Sequence, residues 1–383
     1  MDRSYRWRLL EYRHTEKPLA FDTYVWAHEP ELWRQLRDEA GLDERTTAFK
    51  SDWELAVQLM DWVHRLSEHQ GWNEAPDLSA LELLRGARAG TVTFRCVEFA
   101  HMLQQVCAAY GIPSRVIGLR RPHSEDGLGK AHVVVDVWSQ QYRKWLVLDP
   151  QLNTYYTDAN RRPLSAFDLH RRIRARKYDD ILMSRELGLR EEFREEGVDA
   201  KDNQKLEEIQ VPDGFDRQEV WDSLPNESSF EGFSQFWEEY YYQFVFRQSY
   251  SLIRPKSVTG SSGGDELFYY DSGEMPPMVF QRMKQDYLFT CDATRIDFPV
   301  NGVEIQWRNS VQDNETLEIH LKHCMPWFHH YDVTVNGRSQ TLKDNTLEMR
   351  LQTGENALSV TPVNWFGRRG SESVVRVLIG SQN

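Results

Sequence analysis

Between Ser51 and Pro150 the chain places helices first and strands second, and that order limits what it can fold into. Ser51-Asp-Trp-Glu54 and Ser79-Ala-Leu-Glu82 each set a glutamate three residues after an N-cap serine, the pattern of a capping box. Leu55, Leu59, Trp62 and Leu66 recur at helical spacing after the first, and Leu83 and Leu84 follow the second. A third helix is expected at or just after Cys96, with Phe99, Leu103, Val106 and Tyr110 on its apolar side and Gly111 and Pro113 ending it. Three strand patterns come next without a helix between them: Ser114–Leu119, the valine-rich Ala131–Trp138, and Lys144–Leu148, which closes on Asp149-Pro150. Strands joined this way pair antiparallel, so the expected fold is α+β, helices packed on an antiparallel sheet.

At 383 residues the chain is too long for one ordinary core. Three zones are expected: a core over 1–169, a charged and aromatic connecting region over 170–286, and a small β-sandwich over 287–383. In the middle zone, Glu186–Glu208 reads as a solvated helix, and Ser257–Asp265 as a flexible loop by composition. The aromatic run Phe236–Phe246 reads as a helix buried by its rings on all sides. In the last zone, Val303–Trp307, Thr316–Leu321, Tyr331–Val335 and Ser373–Val377 alternate as strands, with turn signals at Asn336-Gly337 and Gly354–Asn356.

A net charge of −13 repels phosphate backbones, so no nucleic-acid partner is expected. No apolar stretch reaches the length of a membrane span, and the N-terminal residues show no signal-peptide pattern. The four cysteines form no CxxC pair and are too few for a disulfide scaffold. A soluble cytoplasmic protein with reduced thiols is the simplest expectation.

Thiol chemistry needs a thiolate, a nearby proton acceptor and a group that orients the acceptor. Cys96, at a helix start, lies at the positive end of the helix dipole, and its backbone N–H points where an oxyanion could form. His132 opens one strand and Asp149 closes the next, so antiparallel pairing brings the two together. The competing reading of each residue is structural: Cys107 as a packed core thiol, Glu98 as a first-turn carboxylate, His101 as a core histidine. His323-Cys-Met-Pro-Trp-Phe-His-His330 fits no common zinc spacing, and adjacent strand histidines point to opposite faces. Neither metal nor cofactor is implied.

Arg95-Cys-Val-Glu-Phe-Ala100, Tyr110-Gly-Ile-Pro-Ser-Arg-Val116, Ala131-His132 and Trp145-Leu-Val-Leu-Asp-Pro150 together resemble the transglutaminase-like superfamily in order and spacing. The resemblance covers roughly Ser51–Leu169 and implies a papain-like core with Cys96, His132 and Asp149 in the catalytic positions. The C-terminal zone is similar, much less specifically, to immunoglobulin-like modules appended to such cores. Val133 and Val134 stand where relatives often carry Trp, and Arg95 and Val97 stand beside Cys96 where many carry Gly. Trp62 and Trp72 are candidates for the second oxyanion donor by side-chain chemistry alone. The resemblance implies acyl transfer on an amide of a protein or peptide substrate, ended by water (peptidase or amidase) or by an amine (transglutaminase). A peptide:N-glycanase-like amidase is one subtype, since that branch also carries an Arg-Cys-x-Glu pattern. A non-catalytic module presenting interaction surfaces is the alternative, and the sequence leaves oligomeric state open.

Overall fold

The computed structural model describes residues 6–26, 28–43, 51–69, 78–120, 131–177, 181–184, 241, 243–247, 266–271, 288–311 and 315–380. The chain divides into two compact units, Ala27–Asp297 and Met1–Trp26 with Phe298–Asn383. These differ from the zones expected at 169 and 287. Strand β1 (Arg6–Arg13) pairs with the last strand of the chain and belongs to the C-terminal unit. Strands from the supposed connecting region complete the sheet of the other unit.

In the unit Ala27–Asp297, helices α1 (Pro30–Ala40), α2 (Asp52–His64), α3 (Ala80–Arg88) and α4 (Cys96–Ala109) precede the sheet. Ser51 caps α2 by accepting the Glu54 N–H, and Ser79 and Glu82 close a full capping box on α3. Gly111, at φ 69°, supplies the left-handed residue that turns the chain from α4 into β2 (Ser114–Arg120). Strands β3 (Ala131–Ser139), β4 (Lys144–Asp149), β5 (Thr154–Thr157) and β6 (Leu182–Met183) follow on one side of β2. Strands β7 (Gln243–Arg247), β8 (Glu266–Tyr269) and β9 (Leu288–Thr290) extend the other side, giving the order β6-β5-β4-β3-β2-β7-β8-β9. Pairing is antiparallel except between β8 and β9.

Register explains the two faces of this sheet. Val116 opposite Val135, and Val135 opposite Leu148, turn Val133, Val135, Val137, Leu146 and Leu148 toward the core formed with α2, α3 and α4. The alternate residues face the other way, where Phe167 of helix α5 (Ala166–Arg174) packs against Phe244 and Tyr269. There the buried Arg115 guanidinium pairs with Asp136 at 3.0 Å and lies over the rings of Trp145 and Phe246. The aromatic run expected as a helix is therefore a strand over Gln243–Arg247, and period-two burial of Phe244 and Phe246 is what its rings serve. Residues 186–208 and 257–265 lie outside the described residues.

The C-terminal unit is a β-sandwich. One sheet has the order β1-β16-β15-β12-β13, with β12 Phe328–Val335, β13 Arg338–Leu342, β15 Gly354–Asn364 and β16 Ser373–Gly380. The other has the order β10-β11-β14, with β10 Val303–Asn309, β11 Thr316–His323 and β14 Thr346–Arg350. Ile305 and Ile319 of one sheet share a core with Val333, Val360 and Val377 of the other. Asn336 and Gly337, at φ 49° and 80°, form the tight turn expected between β12 and β13. His329 and His330 do not point apart: the register shifts between Phe328 and His330, and the two Nδ1 atoms lie 2.8 Å apart. Among the described residues, no helix is long and apolar enough to cross a membrane.

Candidate active site

Element lengths bring Cys96 and His132 to one end of the sheet. The 14 residues of α4 rise about 21 Å at 1.5 Å each, and the seven residues of β2 about 23 Å at 3.3 Å each. The tight turn at Gly111 folds β2 back along α4, so the start of the helix lies level with Arg120 at the end of β2. Arg120 is paired with Ala131, which opens β3. Leu148 opposite Val135 then sets Asp149 beside Val134, and His132 projects from the same face two residues earlier.

The side chains complete the arrangement. His132 Nε2 lies 2.6 Å from Asp149 Oδ2. Nδ1 is thus the ring nitrogen left for the hydrogen bond between His132 and Cys96. His132 and Asp149 are buried, while Cys96 is only partly so. Asp149 Oδ1 accepts the Leu152 N–H at 3.1 Å, which fixes the carboxylate plane. The loop after Asp149 is tied to α2: Asn153 donates to Asp61, and His64 Nδ1 lies 3.1 Å from the Gln151 carbonyl.

Cys96 is held by its own helix start. Arg95 donates to Glu98 from its backbone N–H (2.9 Å), Nε (3.1 Å) and Nη2 (2.9 Å), and Glu98 is buried. Arg95 and Glu98 thereby clamp the N-cap turn, so Glu98 has the first-turn role that its position suggested. Cys107 and His101, on the same helix, are buried, and the four cysteines form no disulfide.

Charge at the site is set by burial and by these partners. Burial is the largest influence on His132 and pushes its pKa down. The Asp149 charge, their hydrogen bond and the Cys96 sulfur more than offset it and raise the imidazole to about 10. The pair therefore favours a protonated ring beside the sulfur. His69, bridged to Phe94 just before the helix, is driven the other way, to about 4, by burial and then by the nearby His132 charge. A neutral imidazole thus lies within electrostatic reach of His132 and Asp149, and no motif in the sequence marks it. Burial also pushes Tyr241 well above the ordinary tyrosine range, with Tyr156 and Asp149 adding to the effect.

Residues 41–150 match the family model of the transglutaminase-like superfamily. The chain carries a transglutaminase-like superfamily domain. No curated protein matches the chain. The transglutaminase-like match spans Cys96, His132 and Asp149 and stops at Pro150, so α5 and β5–β9 lie outside it. Of the two tryptophans considered as oxyanion donors, Trp62 is packed against the helical core and Trp72 lies outside the described residues. Among the described residues, no group of three or more His, Cys, Asp or Glu side chains is placed to hold a metal.

Proposed function

We propose that this protein is a thiol-dependent acyl-transfer enzyme acting on amide bonds of a protein or peptide, with Cys96 as nucleophile, His132 as acid–base and Asp149 as its orienting carboxylate. The observation that carries the reading is the His132–Asp149 bond of 2.6 Å, with Cys96 hydrogen-bonded to the same ring at the first residue of a helix. A lone buried histidine–aspartate pair needs no sulfur beside it, and a core cysteine needs no helix N-terminus.

In the proposed reaction, the Cys96 sulfur attacks the amide carbonyl and forms a carbon–sulfur bond. The carbonyl oxygen takes the electron pair and is stabilised by the Cys96 N–H and the positive end of α4. Collapse breaks the carbon–nitrogen bond while the His132 imidazolium gives its proton to the departing amine. His132, now neutral, then removes a proton from the incoming water or amine, which cleaves the thioester. Hydrolysis is the favoured ending, because water is always present and no built amine site is evident around Cys96 among the described residues.

The test is labelling with iodoacetamide and with an electrophilic peptide probe, read by mass spectrometry of each cysteine peptide. Cys96 should label fastest in the wild type, and the peptide probe should be lost in Cys96→Ala and His132→Ala. Equal, slow labelling of Cys96 and Cys107 by both reagents would favour a non-catalytic module.

A further inference from the structure

Strand β1 is the edge of the five-stranded sheet, and among the described residues no strand pairs with its outer side. Natural edges are blunted by charged side chains, especially Lys, by Pro, by bulges or by a covering segment, and β1 has charges of both signs and one bulge. The Arg-Trp-Arg-Leu-Leu-Glu-Tyr-Arg of β1 has neither Lys nor Pro. It also carries four of the large apolar side chains left exposed in the molecule: Trp7 (60%), Leu9 (43%), Leu10 (39%) and Tyr12 (40%).

The pairing with β16 shows how these residues are disposed. Trp7, Leu9 and Tyr12 stand opposite Ile379, Val377 and Val375, which are buried, so the three share the core-facing side of the sheet. Arg8 and Glu11 stand opposite Leu378 and Arg376 on the other side. The register skips Leu10, which is the extra residue of a bulge. The paired positions are therefore seven: Arg6, Trp7, Arg8, Leu9, Glu11, Tyr12 and Arg13.

These seven positions read symmetrically about Leu9. Bonding direction alternates along a strand, so a two-fold antiparallel pair must be centred on a residue that faces its own copy. Eight consecutive residues cannot all pair about such a centre, and with Leu10 set apart by the bulge the remaining seven can. With Leu9 on the axis, Arg8 faces Glu11 of the second copy and Trp7 faces Tyr12, each twice. The end pair is Arg6 with Arg13, and Arg13 already donates to the Glu372 carbonyl and carboxylate. Glu11 is held only loosely within its own chain, 3.5 Å from Arg13 and 3.8 Å from Arg376.

We infer that the β1 edge is an interface between two copies of this chain, joined antiparallel about Leu9 into one continuous sheet. Opposite charges and aromatic pairs then meet across the axis, and the exposed stripe of Trp7, Leu9 and Tyr12 is continued by its own copy.

The test is sedimentation velocity on the full chain over a concentration series. Wild type should show a monomer–dimer equilibrium. Arg8→Glu or Glu11→Arg alone sets like charges opposite each other at two places and should weaken the dimer about tenfold or more. The double variant Arg8→Glu/Glu11→Arg, or an equimolar mixture of the two single variants, should restore it. Facing residues lie about 4.5–5.5 Å apart between Cα atoms, within disulfide range. In a Cys291→Ser background, Leu9→Cys should therefore cross-link on oxidation. Trp7→Cys, about 14 Å from its own copy at 3.4 Å per residue, should not. A monomeric wild type at all concentrations overturns the proposal. So does a dimer that Arg8→Glu leaves intact, or cross-linking through position 7 in place of position 9.

Discussion

Asp149→Asn isolates the contribution of charge to the site, because it keeps the shape of the side chain and the oxygen that accepts the Leu152 N–H. In the wild type His132 lies at about 10 against an ordinary 6.5, a gap of roughly 3.5 units, or ~5 kcal/mol of preference for the protonated ring. The sign follows from the direction. A folded value above the unfolded one adds stability that is fully present below pH 6.5 and is lost as pH rises through about 10. Removing the Asp149 charge leaves burial, the largest influence on this ring, opposed only by the weaker effect of the Cys96 sulfur, so His132 should fall below 6.5. At pH 7.5 the protonated fraction then drops from nearly complete to under about one tenth. Three readings follow from this one change. The His132 ring should titrate near 10 in wild type and below 6.5 in the variant by NMR. Iodoacetamide labelling of Cys96 at pH 7 should slow about tenfold or more, while the exposed Cys291 keeps its rate as an internal reference. The loss of stability should be several kcal/mol near pH 6.5 and shrink toward pH 10. A wild-type His132 that titrates near 6.5, or identical pH–labelling curves for the two proteins, would refute the reasoning.

Glu98→Ala removes the acceptor of three Arg95 bonds, and should cost about 1–3 kcal/mol in urea denaturation while slowing Cys96 labelling, because the turn that presents Cys96 loses its clamp. Arg115→Met strands the Asp136 carboxylate, which burial, with Asp297 and Asp168 nearby, already raises to about 6 despite the guanidinium. It should cost about 3–5 kcal/mol at pH 7 and clearly less at pH 5, where a carboxyl raised further is protonated in the folded state; equal losses at the two pH values would argue against the assignment.

What could be read from the sequence was what local chemistry decides. Serine caps, the Gly111 stop and the valine-rich strand each act within one element, so the helices and the β2–β4 meander were legible. The approach of His132 to Asp149 was legible too, because antiparallel pairing of neighbouring strands fixes it. Strand β1 was not, since its partner β16 lies more than 350 residues away and its arginines mask the alternation of Trp7, Leu9 and Tyr12. The Phe244–Phe246 strand was read as a helix because aromatics flank it on every side, and only the pairing with β2 and β8 selects period two. His69 carries no signal of its own: its importance comes from lying near His132, which spacing cannot show.

The family match ends at Pro150, but the environment of its last residues does not. Asp149 lies under a face of the sheet closed by segments beyond the match. Tyr156 comes from β5, Tyr241 from just before β7, and Phe244 from β7 itself. His170 of α5 fastens this layer: its Nδ1 lies 2.7 Å from the Tyr241 carbonyl and its Nε2 3.0 Å from Asp271. That layer keeps water from Asp149, so its charge acts on His132 at close range through little intervening solvent and outweighs the opposing effect of burial. The matched residues therefore include the groups proposed to react, while residues outside the match shape the electrostatic surroundings of His132 and Asp149. A fragment confined to the matched residues would keep Cys96, His132 and Asp149 but expose the buried side of the pair, and with it lose the shift on which the proposed chemistry depends.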